Sequence, residues 1–274
     1  MAEINTEILE SEELDVPPNH PGRDDKEYLR RRRMFFFLAR EHRLRELASP
    51  ALEYTEEEQA LWKNTFLELD ELHSKAAARV FQEGKQALGL SPGTIPQLSQ
   101  LEPQLFSSTG VRLVPAEGLL HGKIYFNYWS KCVMPCTQFL RHAKHPEYTP
   151  EPDIIHDVVG HVPPLMNTAY VSLIEKIGRA AQGATAEALE RIVRFYWFTV
   201  EFGLIEENGK VRILGAGILS SVEETKNVLS GKPQLRPFNF EEMMNQPFAT
   251  TELQPILYVA PSLETIVNYA GRLL

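Results

Sequence analysis

Cysteine is scarce in this chain of 274 residues, which contains only Cys132 and Cys136. Three residues separate the two, and no second cysteine or histidine pair lies beside them, so they match neither a disulfide framework nor a common zinc spacing. No apolar run approaches the roughly 20 residues of a membrane span. The opening MAEINTEILESEELD is acidic, unlike a secretory signal. We therefore expect a cytoplasmic protein whose cysteines are small buried side chains.

The formal net charge is −9, with 37 acidic and 28 basic residues. Such a balance argues against a general attraction to nucleic acid or to anionic lipid. The arginine run at residues 30–33 is interpreted as the solvated flank of a helix rather than as a nucleic-acid patch. We expect neither nucleic acid nor a membrane as a partner.

Helical patterns fill the first third of the chain. After an acidic N-terminus over residues 1–19 that is predicted to be frayed, residues 24–47 are predicted to form a helix. Thr55 followed by Glu58 predicts a capping box at the start of a second helix. A third helix is predicted over residues 76–88, ending near Gly89.

Beyond residue 93, proline and glycine divide the chain into short elements. VRLVP and KIYFNYW are predicted to be brief strands or pocket walls. Within residues 168–205, two helical segments separated by a turn at GAT are predicted, because an in-phase helical run leads into the aromatic stretch YWFTVEF. Asn208 and Gly209 predict a hairpin turn. Together these patterns predict a mainly α fold with minor β structure.

The densest chemistry lies in PEYTPEPDIIHDVVGHVPPL, which places Asp153, His156, Asp157 and His161 within nine residues. On an undisturbed helix, residues five apart are rotated by about 140° from one another, so the two imidazoles would not share a face. The glycine before His161 and the prolines after it let a helix end or bend. We therefore expect a break that turns both imidazoles toward one point.

The histidine spacing differs from the HExxH signature of zinc hydrolases, in which the histidines are four apart. Two neutral imidazoles and one distant carboxylate suit the facial triad of non-haem iron(II) oxygenases. Glu201 is the remote candidate, because an acid inside the apolar FYWFTVEFGLI needs a cation or a metal as a partner. On spacing alone, buried core histidines remain an alternative, and iron is not separated from zinc.

The segments TPEPDIIHDVVGHVPPL and FYWFTVEFGLI resemble the signature segments of the tetrahydropterin-dependent aromatic amino acid hydroxylases. TQFLRH, GAGILSS and TELQPILYV resemble further motifs of this family, and all stand in family order from about His20 to the last helix. The resemblance implies the catalytic-domain fold of the family, in which helices surround a central iron site.

The resemblance implies a metal site and its supports. His156, His161 and Glu201 match the iron(II) ligands of the family. Asp153 matches an acid that hydrogen-bonds beside the metal, and Ser220 matches a hydroxyl that steadies the first histidine. Such partners set the orientation and tautomer of a ligating ring. From the residues alone, Asp153 is equally interpretable as a helix cap.

The resemblance also implies a substrate pocket. Arg141 matches the arginine that holds the α-carboxylate of the substrate, a group that suits the fork of a guanidinium. Thr149 matches a further substrate contact. Trp197 and Phe202 match the walls that hold the aromatic ring, although either one taken singly is typical of a helix core.

The pterin site follows from the same resemblance. Its implied residues are Gly118, Leu119, Leu120, Tyr125, Asp157 and Tyr196. Tyr125 stacks on the pterin where many members of the family have Phe, and both rings present a π face. Asp157, where some members carry Glu, accepts hydrogen bonds from the amino-pyrimidine edge of the pterin.

The implied activity is a monooxygenase reaction in which Fe(II), a tetrahydropterin such as tetrahydrobiopterin, and O2 hydroxylate the ring of a free aromatic amino acid. Trp197 and the short chain favour L-phenylalanine giving L-tyrosine, as in the short bacterial members. Hydroxylation of tyrosine or tryptophan, or of phenylalanine at position 3, stays open within the family. A zinc hydrolase and a non-catalytic binding protein stay open outside it.

The chain departs from the longer members of the family. Within its 274 residues we expect neither an N-terminal regulatory domain nor a C-terminal tetramerisation arm. We therefore expect a single catalytic domain over residues 20–274 and a monomer.

Overall fold

Helices supply most of the backbone in the computed structural model, which describes residues 14, 16, 20–45, 49–147, 149–250 and 252–274. In these ranges the α-helices are α1 (Lys26–Arg45), α2 (Glu56–Ala76), α3 (Arg79–Ala87), α4 (Leu98–Thr109), α5 (Gly122–Trp129), α6 (Thr168–Gln182), α7 (Ala186–Tyr196), α8 (Ala216–Leu219), α9 (Val222–Leu229), α10 (Phe240–Met243) and α11 (Leu263–Ala270). The predicted mainly α fold is confirmed. Apart from Leu14 and Val16, the N-terminus predicted to be frayed lies outside the described residues.

The capping box predicted at α2 is present. Thr55 Oγ1 accepts a hydrogen bond from the Glu58 N–H at 3.2 Å, and Glu58 Oε2 accepts one from the Thr55 N–H at 2.8 Å. The helix predicted over residues 76–88 begins only at Arg79. Ala76 still belongs to α2, and Ala77 and Ala78 have extended backbone with ψ of 146° and 149°. The Ala78 N–H donates to the Ile213 carbonyl of a β-strand at 2.8 Å.

The segment KIYFNYW forms helix α5, so its interpretation as a strand was wrong. Its alternative interpretation as a pocket wall is confirmed, because Tyr125 and Phe126 line a cavity. Phe126 and Trp129, three residues apart, are both buried in the main core, and α5 packs along α6. A shared buried face at helical spacing therefore outweighs the β propensity of these aromatic residues.

Two small sheets supply the β structure. In the first, β1 (Arg112–Pro115), which was predicted from VRLVP, pairs in parallel with β2 (Val133–Cys136). The second has the order β4-β3-β6-β5, with strands β3 (Leu204–Glu207), β4 (Lys210–Ile213), β5 (Gln234–Pro237) and β6 (Ile256–Ala260).

The predicted hairpin joins β3 to β4. Asn208 and Gly209 have φ of 53° and 70°, the left-handed values that a type I′ turn requires. Because β3 begins at Leu204, the helical structure predicted over residues 168–205 ends a little earlier, at Glu201.

One apolar core connects nearly all of these elements, and Trp62, Phe81, Trp129 and Tyr170 are buried at its centre. Removing a large aromatic side chain from such a core costs about 3–5 kcal/mol. Both cysteines are free, and Cys136 is buried as expected. Across the described ranges, no helix combines the length and the apolar character needed to cross a bilayer.

A largely buried polar cluster joins α2 and α3 to the last residue of α8. His73 Nε2 lies 2.7 Å from the Leu219 carbonyl, and Lys85 Nζ lies 3.3 Å from His73 Nδ1 and 2.5 Å from Asp70 Oδ1. Burial, together with the Lys85 charge, lowers the pKa of His73 to about 3. The ring is therefore neutral, with Nε2 donating to Leu219 and Nδ1 accepting from Lys85.

Acid should destabilise the fold through His73. An unfolded histidine has a pKa of about 6.5. Between that value and about 3 the unfolded chain therefore binds more protons than the folded chain. The free energy of unfolding should fall by up to about 1.4 kcal/mol per pH unit as the pH drops through this window.

Urea denaturation between pH 7 and pH 4.5 would measure this slope. His73→Gln should be less stable at pH 7 but should lack this part of the acid dependence. His121→Gln, at an exposed histidine, should keep the slope of the parent protein. Parallel pH profiles for the parent protein and His73→Gln would show the account to be wrong.

Candidate metal centre and aromatic cavity

A π-helix over Ile155–His161 carries the two predicted histidine ligands. In a π-helix the backbone N–H bonds to the carbonyl five residues earlier, as the Val162 N–H does to Asp157 at 3.1 Å. Residue i+5 then lies over residue i, so His156 and His161 share a face. The expected break between the histidines was wrong, because a wider turn, and not a helix end, brings the imidazoles together.

Glu201 ends a second π-helix, Trp197–Glu201, and faces the histidines. His161 Nε2 lies 3.1 Å from His156 Nε2 and 3.1 Å from Glu201 Oε1, while His156 Nε2 lies 3.7 Å from Glu201 Oε2. Within the part of the chain that the structure describes, these three side chains form the one group of His, Cys, Asp and Glu close enough to share an ion.

The spacing of these atoms fits a bound metal. Ligands at right angles on a cation, with bonds of roughly 2.1 Å, lie about 3 Å from one another. The observed separations of 3.1, 3.1 and 3.7 Å are close to that value. Without a cation, two imidazole nitrogens that face each other at this distance need a shared proton. The donor set of two imidazoles and one carboxylate leaves coordination positions open for other ligands.

The electrostatics of the cluster also favour a cation. Burial alone would raise the pKa of Glu201, but the His161 and His156 imidazoles lower it to about 2. Burial lowers the pKa of His156 to about 4, so this ring is neutral near pH 7. Burial acts the same way on His161, but the Glu201 charge outweighs it and raises the pKa of that ring. The cluster therefore holds an ionised carboxylate beside at least one neutral imidazole.

Contacts behind the cluster orient His156. Its Nδ1 lies 3.0 Å from Ser220 Oγ, and its backbone N–H donates to Asp153 Oδ1 at 2.9 Å. Gly160 lets this π-helix lie against α8, because a Cβ there would stand 2.8 Å from the Ala216 carbonyl oxygen. His161 Nδ1, by contrast, is buried without a hydrogen-bond partner among the described residues.

Asp153 has two roles in the structure, since it also pairs with Arg141. Arg141 Nε and Nη2 donate to the two Asp153 oxygens at 2.9 and 2.8 Å, and both side chains are almost fully buried. Arg141 Nη1 donates to the carbonyls of Pro146 and Ser220. The bidentate partner of Arg141 in the protein is thus Asp153, which leaves one Nη2 hydrogen for a ligand. Asp153 holds the arginine and the first histidine in one fixed relation.

A cavity of about 450 Å³ opens in front of the cluster. Its lining includes His156, Glu201 and Ser220, the predicted substrate contacts Arg141, Thr149, Trp197 and Phe202, and the predicted pterin contacts Gly118, Leu119, Leu120, Tyr125, Asp157 and Tyr196. Asp153 and His161 are not among the lining residues, since they lie behind it. The structure thus brings every predicted site residue to this cavity or directly behind it.

One wall of the cavity is aromatic. The Trp197 ring stacks on Phe248 at 4.2 Å between centroids and contacts Phe202 at 4.5 Å. Trp197 Nε1 donates to Gln254 Oε1 at 3.0 Å. Sequence reasoning missed Phe248 and Gln254. Gln254 stands in TELQPILYV, which was recognised as a motif, whereas nothing in the sequence around Phe248 pointed to the cavity.

Other lining residues carry polar groups. Tyr196 donates its hydroxyl hydrogen to Glu201 Oε1, and the hydroxyls of Tyr196 and Tyr125 lie 3.4 Å apart. Asp157 Oδ2 accepts from both the N–H and the hydroxyl of Thr137 at 2.6 Å. Burial raises the pKa of Asp157 to about 7. One oxygen of Asp157 is therefore committed to the protein, and the other is left for a ligand.

Two histidines and a carboxylate beside an aromatic cavity are typical of the mononuclear metal oxygenases. The chain belongs to the family of biopterin-dependent aromatic amino acid hydroxylases, whose family model matches residues 1–271. The resemblance stated from the sequence motifs, and the fold class that it implied, are thereby confirmed.

Individual relatives agree with this assignment. Phenylalanine-4-hydroxylase of Bos taurus is 38% identical over 269 residues, which cover 95% of this chain and 59% of that protein. Tyrosine 3-monooxygenase of Rattus norvegicus is 37% identical over 267 residues, covering 94% of this chain and 53% of that protein. The chain therefore spans less than two thirds of the length of these curated relatives.

A solved structure of Chromobacterium violaceum phenylalanine hydroxylase superimposes with a TM-score of 0.77 and 32% identity. The match covers 81% of this chain and 82% of the other. That structure holds iron(III) and the oxidised cofactor 7,8-dihydrobiopterin.

The Ser220 contact generates a prediction about metal affinity. Removing a hydrogen-bond partner of a ligating imidazole typically weakens metal binding about 10- to 100-fold. Ser220→Ala should therefore bind iron(II) at least tenfold more weakly, as measured by anaerobic competition with a chelator. Ser107→Ala, at an exposed serine, should bind as the parent protein does. If Ser220→Ala binds iron(II) as tightly as the parent protein, Ser220 does not contribute to metal binding.

Proposed function

We propose that this protein is a monooxygenase that uses Fe(II), a tetrahydropterin and O2 to hydroxylate the ring of a free aromatic amino acid, converting L-phenylalanine to L-tyrosine. The observation that carries the proposal is the convergence of His156, His161 and Glu201 at one side of a cavity whose wall is built by Trp197 and Phe202. An aromatic ring held by this wall lies next to the metal ligands.

In this proposal His156, His161 and Glu201 hold the iron. Activation of O2 is the chemistry that iron(II) and a reduced pterin supply when they are bound. The protein prepares the ligands for this role. Tyr196 holds one oxygen of Glu201, and Ser220 Oγ, 3.0 Å from His156 Nδ1, orients the ring of that histidine. The buried surroundings limit the access of water.

The amino acid is bound by residues on the aromatic side of the cavity. Trp197 and Phe202 orient the ring, and the stack on Phe248 limits the freedom of the tryptophan. The remaining Nη2 hydrogen of Arg141 is available to the substrate carboxylate, with Thr149 beside it in the cavity wall. Charge-assisted hydrogen bonds of this kind fix position as well as adding affinity.

The pterin is placed on the side of Tyr125 and Tyr196. The loop at Gly118, Leu119 and Leu120 borders this part of the cavity. Tyr125 offers a ring for stacking. Asp157 offers its second carboxylate oxygen to the amino-pyrimidine edge of the pterin.

The choice of phenylalanine rests on Trp197 and on the neighbouring structures. Sequence identity does not decide it, because the phenylalanine and tyrosine hydroxylases match almost equally, at 38% and 37%. Two solved structures that this chain matches over more than 80% of their length are phenylalanine hydroxylases, from Chromobacterium violaceum and Colwellia psychrerythraea. Hydroxylation of tyrosine or tryptophan, or of phenylalanine at position 3, is the alternative within the family.

The activity is tested by product analysis. Protein loaded anaerobically with iron(II) is given L-phenylalanine and a tetrahydropterin and then exposed to air. Mass spectrometry should show a product with one added oxygen atom, which co-elutes with authentic L-tyrosine on chromatography. Co-elution with meta-tyrosine would replace the proposed ring position. The absence of an oxygenated product from all three aromatic amino acids would defeat the proposal.

We further propose that the protein acts as a monomer in the cytoplasm. Light scattering should then give a mass near 31.2 kDa. A mass of about four times that value would contradict the monomer.

A further inference from the structure

Glu224 is a buried acid in the cavity wall whose carboxylate has only part of its hydrogen-bonding capacity used. Glu224 is 4% exposed, and it lines the cavity close to Gln254 and Ser221. Oε1 accepts from the Gln254 N–H at 2.9 Å. Oε2 is buried and has no hydrogen-bond partner among the described residues.

The position of Glu224 in its helix does not explain its burial. Ser221 caps α9, and its Oγ accepts from the Glu224 N–H at 3.2 Å. In a complete capping box, as at Thr55 and Glu58, the acid would return the contact to the N–H of the capping residue. The Ser221 N–H instead donates to the Ile218 carbonyl, which leaves the Glu224 carboxylate directed elsewhere.

The charge of Glu224 lacks a counter-charge. No ion pair involves Glu224 among the residues that the structure describes, whereas the buried acids Asp153 and Glu201 both have cationic or protonatable partners. Burial raises the pKa of Glu224, and the Gln254 N–H and the Asn227 side chain only partly oppose that rise. An ionised carboxylate in such a place is stabilised when a cation reaches it.

The residues around Glu224 indicate what kind of cation binds to its carboxylate. Arg141 Nη1 donates to the Ser220 carbonyl at 3.2 Å, and the next residue, Ser221, caps the helix that carries Glu224. The Arg141 guanidinium and the Glu224 backbone thus contact neighbouring residues, Ser220 and Ser221, and both Arg141 and Glu224 line the cavity. Gln254 connects Glu224 to the aromatic wall, because its N–H contacts Glu224 and its Oε1 contacts Trp197.

We propose that Glu224 binds the α-ammonium group of the amino acid substrate. This inference rests on the proposed function, since it assumes a free amino acid in the cavity. With the carboxylate toward Arg141, the ring against Trp197 and the ammonium on Glu224 Oε2, the substrate is held at three points. Glu224 then separates amino acids from aromatic acids that lack the amine.

Binding measurements with two ligands test this assignment. L-phenylalanine and 3-phenylpropanoate share the ring and the carboxylate, and only the first carries an ammonium group. Calorimetric titration of each into the anaerobic iron(II)-loaded protein gives their affinity ratio. A charge-assisted hydrogen bond corresponds to a preference of about tenfold or more for L-phenylalanine.

Glu224→Gln is the decisive variant, because glutamine keeps an acceptor for the Gln254 N–H but loses the charge. We expect it to lose about tenfold or more of its affinity for L-phenylalanine while 3-phenylpropanoate binds as before. Glu223→Gln, the same charge change at the exposed neighbouring residue, should leave both affinities unaltered.

An unchanged affinity ratio in Glu224→Gln would overturn the assignment, and so would an equal loss for both ligands, which would indicate a structural role. If that variant does not fold, the affinity ratio of the parent protein still tests the assignment. A preference of the parent protein for L-phenylalanine over 3-phenylpropanoate of less than threefold excludes an ammonium contact. Hydroxylation with an unchanged ratio would refute this inference alone. Failure of every aromatic amino acid to bind would refute the proposed function with it.

Discussion

Two histidines five residues apart must meet at one point, and this constraint shapes the protein around them. A regular α-helix would separate their rings by about 140°. The π-helix Ile155–His161 removes that difference. Its backbone geometry is less favourable than that of an α-helix, so such turns are short, and they occur frequently at functional sites. Contacts with neighbouring residues stabilise this π-helix. Asp153 accepts from the His156 N–H at its start, and Gly160 permits close contact with α8 near its end.

Five buried carboxylates lie at the cavity or directly behind it, and their partners differ. Glu151 is paired with Arg32. Asp153 is paired with Arg141, Glu201 with the two imidazoles, and Asp157 with the N–H and hydroxyl of Thr137. Glu224 Oε1 accepts from the Gln254 N–H, while Glu224 Oε2 has no hydrogen-bond partner within the described ranges. Burial raises the pKa of Asp157 and Glu224, for which the described part of the chain supplies no ion-pair partner. For Asp153 and Glu201, neighbouring charges outweigh burial and lower the pKa. The net charge of −9 is therefore a poor guide to this site, where local pairing decides the charge of each group.

The sequence was sufficient for the features that local chemistry determines. The capping box at Thr55, the Asn208-Gly209 hairpin and the predominance of helices all follow from short-range rules. The helical form of KIYFNYW was not predictable in this way, because burial against α6 outweighs its local propensity. Likewise, the π-helix depends on contacts with a segment some 60 residues later. The cavity residues were identified through family motifs, and Phe248 was missed because it lies outside any motif.

Polar groups at the cavity that lack a partner in the described part of the protein indicate where a ligand binds. A buried acceptor without a partner costs about 1–3 kcal/mol, a noticeable fraction of the 5–15 kcal/mol that stabilises a typical domain. Selection for stability alone would replace Glu224 with an apolar side chain, and it would separate two imidazoles that face each other at 3.1 Å. A ligand that supplies the missing partner converts this cost into binding energy. At a free ligand concentration of 100 times the dissociation constant, binding would add about 2.7 kcal/mol to the free energy of unfolding. If the proposed ligands bind these side chains, stability and recognition are linked, and a filled site should raise the stability of the fold.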